Sequence, residues 1–355
     1  VRAAAANVVA LLSAEQQQQL GALVEPSSRS QVWMGLGIAA RSESINLEAI
    51  DVAFQQLLKP AADFAAKKEA LRLLQLSCGD VGPHTGVPAV FDGYTARADL
   101  QPHQNRLDFV RDLLAEELPS GDEDYDHELI RTLALLGAVK QPLVGKLLQG
   151  ITSDSTPADD IHRLIALCRV AAERSADESQ ATAAALVRLE IKIREQQLKQ
   201  DSNWDDRISE LAEALCQRDS DVPKLIAEHT EFGLAGHAIF LKLIPGELKE
   251  EVIDAFVRQI LAASNYAWTD EVVVLLGDSP VPQYQELLRS QLDNPDVHDA
   301  VLQTMARAPR PDDRQVFLDG LSSVQLKSVK ASAAALQELG AQYAEGADPL
   351  AVLRD

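Results

Sequence analysis

The sequence is poor in aromatic residues. Aromatic side chains make up 5% of its 355 residues, whereas the hydrophobic content reaches 46% and consists mainly of Ala, Leu and Val. Small aliphatic side chains suit helices that pack closely on one another, and the aromatic residues favoured in strands are scarce. The composition therefore favours an all-α fold over an all-β fold.

Cysteine is also rare. Cys78, Cys168 and Cys216 lie far apart in apolar, helix-like contexts, and the chain contains neither a CxxC pair nor the CxxCH motif that attaches haem. We expect buried, reduced thiols. One disulfide with a leftover thiol is the alternative, so the redox compartment stays open.

Basic charge and long apolar runs are lacking too. The 33 basic residues face 54 acidic ones, which gives a formal net charge of −21. Such a field repels phosphate backbones and anionic lipids, so we expect no nucleic-acid partner. No run approaches the roughly 18–20 apolar residues that span a bilayer, so no membrane insertion is expected. The chain starts without Met in a helix-like segment, which suggests a piece of a longer protein.

Common catalytic signatures are missing from the chain. We find no GxxxxGK[ST], no GxGxxG after a strand, no GxSxG and no HExxH. These motifs serve the common nucleotide-dependent enzymes, hydrolases and metalloproteases. We therefore predict a non-catalytic protein without a cofactor.

What the sequence does contain is helical periodicity. Apolar residues recur at three- and four-residue intervals, with breaks about every 12 to 20 residues. Ser13 followed by Gln16 predicts a capping box, and Thr156 before Pro157 predicts another helix start. Val272–Leu276 is the most strand-like stretch, but its helical flanks favour a short helix there. The same periodicity predicts a helix at 234–243.

Residues 282–339 indicate repeats, because they divide into two consecutive helix pairs whose second helices contain small residues and a closing Leu or Met. This pattern resembles HEAT repeats, in which stacking buries the apolar stripe of each pair. We predict an all-α fold, an α-solenoid of HEAT-like helix pairs. Its regions are N-terminal HEAT-like helices (1–77), an irregular loop (78–101), a central helical region (102–280) and C-terminal pairs (281–355), in one continuous solenoid.

The irregular loop at 78–101 is the most distinctive segment, with four Gly and two Pro. Irregular loops of this length tend to be functional lids, packing arms or insertions. The loop and the residues just after it supply a candidate ligand or interface site of Asp92, Tyr94, Arg97, Asp99 and His103, with Asp80 and His84 nearby. In the simpler interpretation, which we favour, Phe91 and Tyr94 hold the loop on the helices and Arg97 pairs with Asp92 or Asp99.

Other polar groups have structural explanations. Asp122, Asp124 and Asp126 alternate as in the opening of a calcium loop, but His127 and Leu133 stand where such a loop needs Gly and Glu. Acidic residues before a helix are already favoured by the helix dipole.

Three histidines and one asparagine complete the candidates. His162 follows Asp159 by one helical turn, and His229 and His237 bracket a turn that would place them as metal ligands if it folded back. Hydrogen-bonded structural histidines are the favoured interpretation. Asn203 is the expected N-cap of a helix that begins at Trp204, a predicted core anchor.

Several phrases resemble a known type of protein: ALRLLQLSCGDVG, VPAVFDGYTARADL, DHELIRTLALL, ITSDSTPADDIHRLIAL and SNWDDRISEL. They are similar to a helical region of planctomycete-type multidomain proteins, which combine a β-propeller dehydrogenase-like region, HEAT-like helices and a c-type haem domain. The resemblance covers roughly residues 45–340. It implies a helical connector of an exported, extracytoplasmic or periplasmic protein whose chemistry lies elsewhere. Because CxxCH is absent, no haem ligand is carried over.

These observations lead to one main functional expectation. We expect a scaffold, spacer or protein-interaction region that serves a protein partner or neighbouring domains of the same parent chain. One alternative is a small-ligand, metal or enzymatic site under the loop at 78–101. Another is an acidic docking module for a cytochrome, since complementary charge accelerates encounter.

Overall fold

The computed structural model describes residues 2–26, 28–40, 45–59, 62–80, 86–138 and 141–344. Among these residues the regular structure is helical and no strand occurs. The expected all-α class is therefore confirmed. The chain divides into two compact units, Val1–Leu225 and Ile226–Asp355. No helix in the described part is long and apolar enough to cross a membrane.

The first unit contains eleven α-helices among its described residues, and a short twelfth follows at the unit boundary. They are α1 (Arg2–Val9), α2 (Ala14–Gly21), α3 (Arg29–Ala39), α4 (Leu47–Leu57), α5 (Phe64–Ser77), α6 (Gln104–Glu117), α7 (Glu123–Leu136), α8 (Gln141–Gln149), α9 (Pro157–Arg169), α10 (Ala176–Glu195), α11 (Trp204–Arg218) and α12 (Val222–Ala227). The described residues between α5 and α6 include two short 3-10 turns, Ala89–Phe91 and Gln101–His103.

The second unit contains six further α-helices in its described part. They are α13 (Lys249–Ala262), α14 (Asp270–Gly277), α15 (Pro282–Arg289), α16 (His298–Met305), α17 (Arg314–Gly320) and α18 (Leu326–Ala344), with 3-10 helices at Ala235–Phe240, Gly246–Leu248 and Pro311–Asp313. The helix expected over Val272–Leu276 is confirmed, since α14 contains it. The helix expected at 234–243 was wrong in type, because Ala235–Phe240 within that segment forms a 3-10 helix.

Local capping explains several helix boundaries. The Ser13 side chain accepts from the Gln16 backbone N–H, and the Gln16 side chain accepts in return from the Ser13 N–H, which confirms the predicted box. Thr156 caps α9 as predicted. Asn203 occupies the predicted N-cap position before Trp204, but its side chain accepts no capping hydrogen bond. Trp204 is only half-buried, so it is not the core anchor expected of it.

Helices two apart in the chain pack on one another in the first unit. The contacts run from α1 to α3, then through α5, α7 and α9 to α11, and α8 packs on α10. In α3, a Cβ at Gly37 would lie 3.0 Å from the Val9 Cβ, while a Cβ at Gly35 would lie 3.0 Å from Leu73 of α5. The two glycines therefore allow α3 to approach a neighbour on each side.

The core of this layer is aliphatic. Leu73 in α5, Leu129 in α7 and Leu164 in α9 are each 0% exposed. Each such side chain stabilises the fold by about 1.5–3 kcal/mol when fully buried. The second unit shows the same relation, since α14 packs on α16 and α16 on α18.

Candidate functional site

The loop expected at 78–101 is held to the helices by a buried carboxylate. Asp80 is 2% exposed and forms ion pairs with Arg72 and with Arg131, the latter at 2.7 Å. The Arg131 Nε also donates to the Gly93 carbonyl oxygen at 3.0 Å. Gly93 has φ +82, a backbone conformation that residues other than glycine rarely adopt. The two arginines therefore fix the start and the middle of the loop.

The backbone closes the loop on itself. The Arg97 N–H donates to the Gly79 carbonyl oxygen at 2.9 Å, and the next N–H donates to Cys78. Phe91 is buried, at 5% exposed, and Tyr94 is half-buried. The expected packing of these two rings is thus present. His84 lies outside the described residues.

The five predicted site residues do not converge. Asp92, Arg97 and Asp99 are exposed, and Tyr94 and His103 are half-buried. No hydrogen bond or ion pair joins any two of these five side chains. Asp99 instead accepts from the Gln101 N–H within its own turn, at 3.0 Å. The expected pairing of Arg97 with Asp92 or Asp99 is absent, because this stretch follows the surface and its charged side chains face solvent.

Tyr94 reaches a pair of stacked histidines. Its hydroxyl lies 2.7 Å from the His162 Nδ1 of α9, and the His162 ring stacks on His127 of α7 with ring centroids 3.6 Å apart. His162 is 4% exposed, whereas His127 lies at the surface. Burial, followed by the charge of His127, lowers the pKa of His162 to about 3. Burial also raises the pKa of Tyr94 to about 12. The cluster therefore holds a neutral imidazole and a neutral phenol near pH 7.

A small cavity of about 150 Å³ adjoins the histidines. His127, His162, Asp159, Glu123 and Arg163 are among its lining residues. The His162 Nε2 is buried and has no hydrogen-bond partner among the described residues. Nothing in the described part groups three or more His, Cys, Asp or Glu side chains suitably for a metal ion. The cavity can therefore offer hydrogen bonds and charge, but the described side chains do not form a metal-binding cage.

A larger cavity of about 470 Å³ lies beneath residues 86–91 of the loop. Its walls come from residues 86–91, the end of α9 and one face of α11. Arg169 and Arg218 carry its positive charge, and Glu210 and Glu213 carry its negative charge. Its volume falls within the usual range for small-molecule sites. Sequence reasoning located the loop above it but missed both arginines, because only the packing of α9 on α11 brings them together.

The other candidate positions have structural roles. The Asp122 side chain caps α7 by accepting from Tyr125 N–H, and Asp126 accepts from Ser120 N–H at 2.9 Å. These bonds account for part of the acidic run without calcium. In the second unit, His229 Nδ1 accepts from the Glu231 N–H, and His237 Nδ1 accepts from two backbone N–H groups.

The cysteines are free thiols. Cys78 and Cys168 are buried and Cys216 is half-buried. Burial raises the pKa of the first two thiols to about 12 and that of Cys216 to about 11. A thiol with a raised pKa is a poor nucleophile near neutral pH, so these groups give no sign of catalytic activation.

A buried lysine was also missed by sequence reasoning. Lys192 of α10 forms an ion pair with Asp160 at 2.5 Å and donates to the carbonyl oxygens of Thr152 and Ser155. The charged residues that alternate around Lys192, among them Arg188, Glu190 and Arg194, are by sequence typical of a solvated helix face. The apolar positions on either side of it in α10 were the only signal of its burial.

Comparisons of this chain with known proteins find no match. No protein-family model matches it, and no curated protein or solved structure matches it either.

Proposed function

We propose that this chain is a non-catalytic helical-repeat scaffold that presents helix faces to a protein partner or to neighbouring domains of its parent protein. The observation that supports this proposal is the packing of each odd-numbered helix from α1 to α11 on the next odd-numbered helix. In an α-solenoid, equivalent helices of successive pairs stack in this way, and each repeat contacts only its neighbours. The HEAT-like interpretation of the sequence requires such a stack.

Local cooperativity tests the architectural basis of the proposal. Leu73 in α5 and Leu211 in α11 are both 0% exposed, so each Leu→Ala change should weaken the core around it. In a stack, Leu73→Ala should speed amide hydrogen exchange in α3, α5 and α7 and leave α11 unchanged. Leu211→Ala should do the reverse, with faster exchange in α9 and α11 and unchanged α1 and α3. Equal acceleration throughout the unit in both variants would contradict a repeat stack.

Partner binding itself can be probed from an exposed apolar surface. Phe109 of α6 is 60% exposed and its ring lies 5.7 Å from that of Phe54 in α4. Leu58, four residues after Phe54 in the sequence, is 53% exposed. A photo-crosslinking residue at Phe109 should give a discrete protein adduct in cells that produce the full parent protein. The same residue at Gln197, an exposed position just beyond the end of α10, serves as a control. Identical adducts from both positions, or none from Phe109, would count against a specific partner at this surface.

The resemblance to planctomycete-type proteins extends the proposal. On that basis the chain is the helical connector of an exported redox protein. It is supported only by the sequence phrases that carry it. The open reading frame that encodes the parent protein provides the test, since a c-type haem motif or a propeller-like region next to this segment is expected. A parent with neither would remove the redox context and leave the scaffold proposal standing.

A further inference from the structure

The cavity beneath residues 86–91 has an ordered roof. The Val90 N–H donates to the Glu210 Oε2 of α11 at 3.1 Å, and Val90 and Phe91 are 9% and 5% exposed. The loop therefore sits on α11 through both a hydrogen bond and apolar contact. The space of about 470 Å³ that remains between the loop, α9 and α11 is large enough for a small organic molecule.

Three arginines surround the end of α9, and two of them have a structural task. Arg218 Nε donates to the Cys168 carbonyl oxygen at 3.0 Å, and Arg174 donates to three carbonyl oxygens at and just beyond the end of the helix. Such bonds satisfy the carbonyl groups that a helix end leaves unpaired. Helix capping therefore accounts for Arg174 and for one side of Arg218.

Arg169 has no such task. Its Nε is buried without a hydrogen-bond partner, and its guanidinium forms no ion pair with any described residue. Burial lowers the pKa of Arg169, and the nearby positive charge of Arg218 lowers it further. A guanidinium is a rigid fork of donors that normally binds a carboxylate or phosphate through two parallel bonds. Here two cations line one cavity, and one of them has a buried donor that no described group satisfies.

The rest of the lining narrows the type of anion. Val87, Pro88 and Phe91 give the cavity an apolar wall, and Glu210 and Glu213 add negative charge. A doubly charged phosphate would be repelled by those two carboxylates more strongly than a single carboxylate would be. An apolar body attached to a carboxylate would match both the arginines and the apolar wall.

We propose that this cavity binds a small organic carboxylate, with its carboxylate group on Arg169 and Arg218 and its apolar body against Pro88 and Phe91. The site is independent of the scaffold function proposed above. It makes the loop the roof of a ligand pocket, and the recognition is non-covalent.

Benzoate is a suitable probe, and benzamide is its neutral counterpart of nearly the same shape. We expect the full chain to bind benzoate with a Kd of about 1 mM or tighter in a calorimetric or ligand-observed NMR titration. Benzamide should bind at least tenfold more weakly. Inorganic phosphate should also bind more weakly than benzoate.

Substitutions locate the site. Arg169→Gln should weaken benzoate binding about tenfold or more, since it removes a charge-assisted bond pair. Arg169→Lys keeps the charge without the fork and should give an intermediate loss, which keeps the test valid if the glutamine variant folds poorly. Arg188→Gln, on the exposed face of α10, is the matched control and should leave the Kd unchanged.

Four results would overturn the assignment: no benzoate binding at millimolar concentrations, equal affinity for benzamide, tighter binding of phosphate, or equal weakening by Arg169→Gln and Arg188→Gln. None of them bears on the hydrogen-exchange test of the helical stack. The two proposals therefore stand or fall separately.

Discussion

Acidification should destabilise the first unit through His162. This imidazole is 4% exposed, lies 2.7 Å from the Tyr94 hydroxyl and stacks on His127. Burial and the neighbouring imidazole lower its pKa to about 3. In the unfolded chain the same side chain should titrate near its ordinary pKa of about 6.5.

The sign of the effect follows from these two pKa values. Between about pH 6.5 and pH 3 the unfolded state binds a proton at His162 that the folded state excludes. The stability associated with the neutral ring is therefore present above about pH 6.5 and is lost progressively as the pH falls towards 3. Integration of this linkage gives a loss of about 2 kcal/mol by about pH 5.

Comparison of the unsubstituted chain with His162→Gln isolates this contribution, because all other groups titrate in both. Glutamine can still form a hydrogen bond with Tyr94 but carries no titrating ring. Urea unfolding is followed by hydrogen exchange in α9 at about pH 7.5 and at about pH 5. Between these pH values the free energy of unfolding of the unsubstituted chain should fall by about 2 kcal/mol more than that of the variant. His298→Gln, at an exposed position in the second unit, should show the same pH dependence of hydrogen exchange in α9 as the unsubstituted chain.

Two results would refute this reasoning. One is an equal loss of stability on acidification in the unsubstituted chain and in His162→Gln. The other is an NMR titration in which the ring of His162 takes up its proton at pH 6 or above in the folded protein. Either result would mean that water or a rearrangement of α7 relieves the burial on which the argument depends.

Three further substitutions test individual contacts by urea unfolding. Lys192→Met should destabilise the first unit by about 3–5 kcal/mol, because it leaves the buried Asp160 carboxylate without its cation. Gly37→Ala should cost about 1–3 kcal/mol, since its Cβ would overlap the α1 backbone. Gly233→Ala should destabilise the second unit by about 2–4 kcal/mol, because φ is +113 there and the new Cβ would overlap the backbone of α13.

Each of these changes has a control. Adding Asp160→Asn to Lys192→Met should recover part of the lost stability, because the buried charge is then removed. Gly340→Ala in α18 meets no atom within 4 Å, so it should be neutral or stabilise by up to about 1 kcal/mol. Glycine variants at 37 and 233 that match this control would show that the close approaches are absent in solution.

Local sequence signals predicted several of the helix starts. Ser13 and Thr156 mark helix starts because a cap is a hydrogen bond between a side chain and a backbone N–H three residues later. Both partners are therefore visible in a short stretch of sequence. The helix predicted at 234–243 was wrong in type. The His237 ring accepts hydrogen bonds from the Gly233 and Leu234 N–H groups, and these bonds form only in the folded turn. Asn203 stands at the predicted N-cap of α11 but makes no side-chain capping bond, since its backbone angles depart from those of the other caps.

The candidate site depended on more than the local pattern. Glycine and proline content singled out the loop at 78–101, because those residues disfavour a continuous helix. The polar residues that were combined into the predicted site do not converge, since Asp92, Arg97 and Asp99 are exposed along the protein surface. No local spacing connects the loop to the groups that lie beneath it.

The sequence by itself thus determined the helical class, many helix boundaries and the place of the irregular loop, because each depends on interactions within a few residues. Only the tertiary structure decided which polar groups share a pocket. His127 meets His162 because α7 packs on α9, and Arg169 meets Arg218 because α9 packs on α11. Helix propensity specifies each helix separately, whereas packing of apolar faces sets which helix becomes its neighbour.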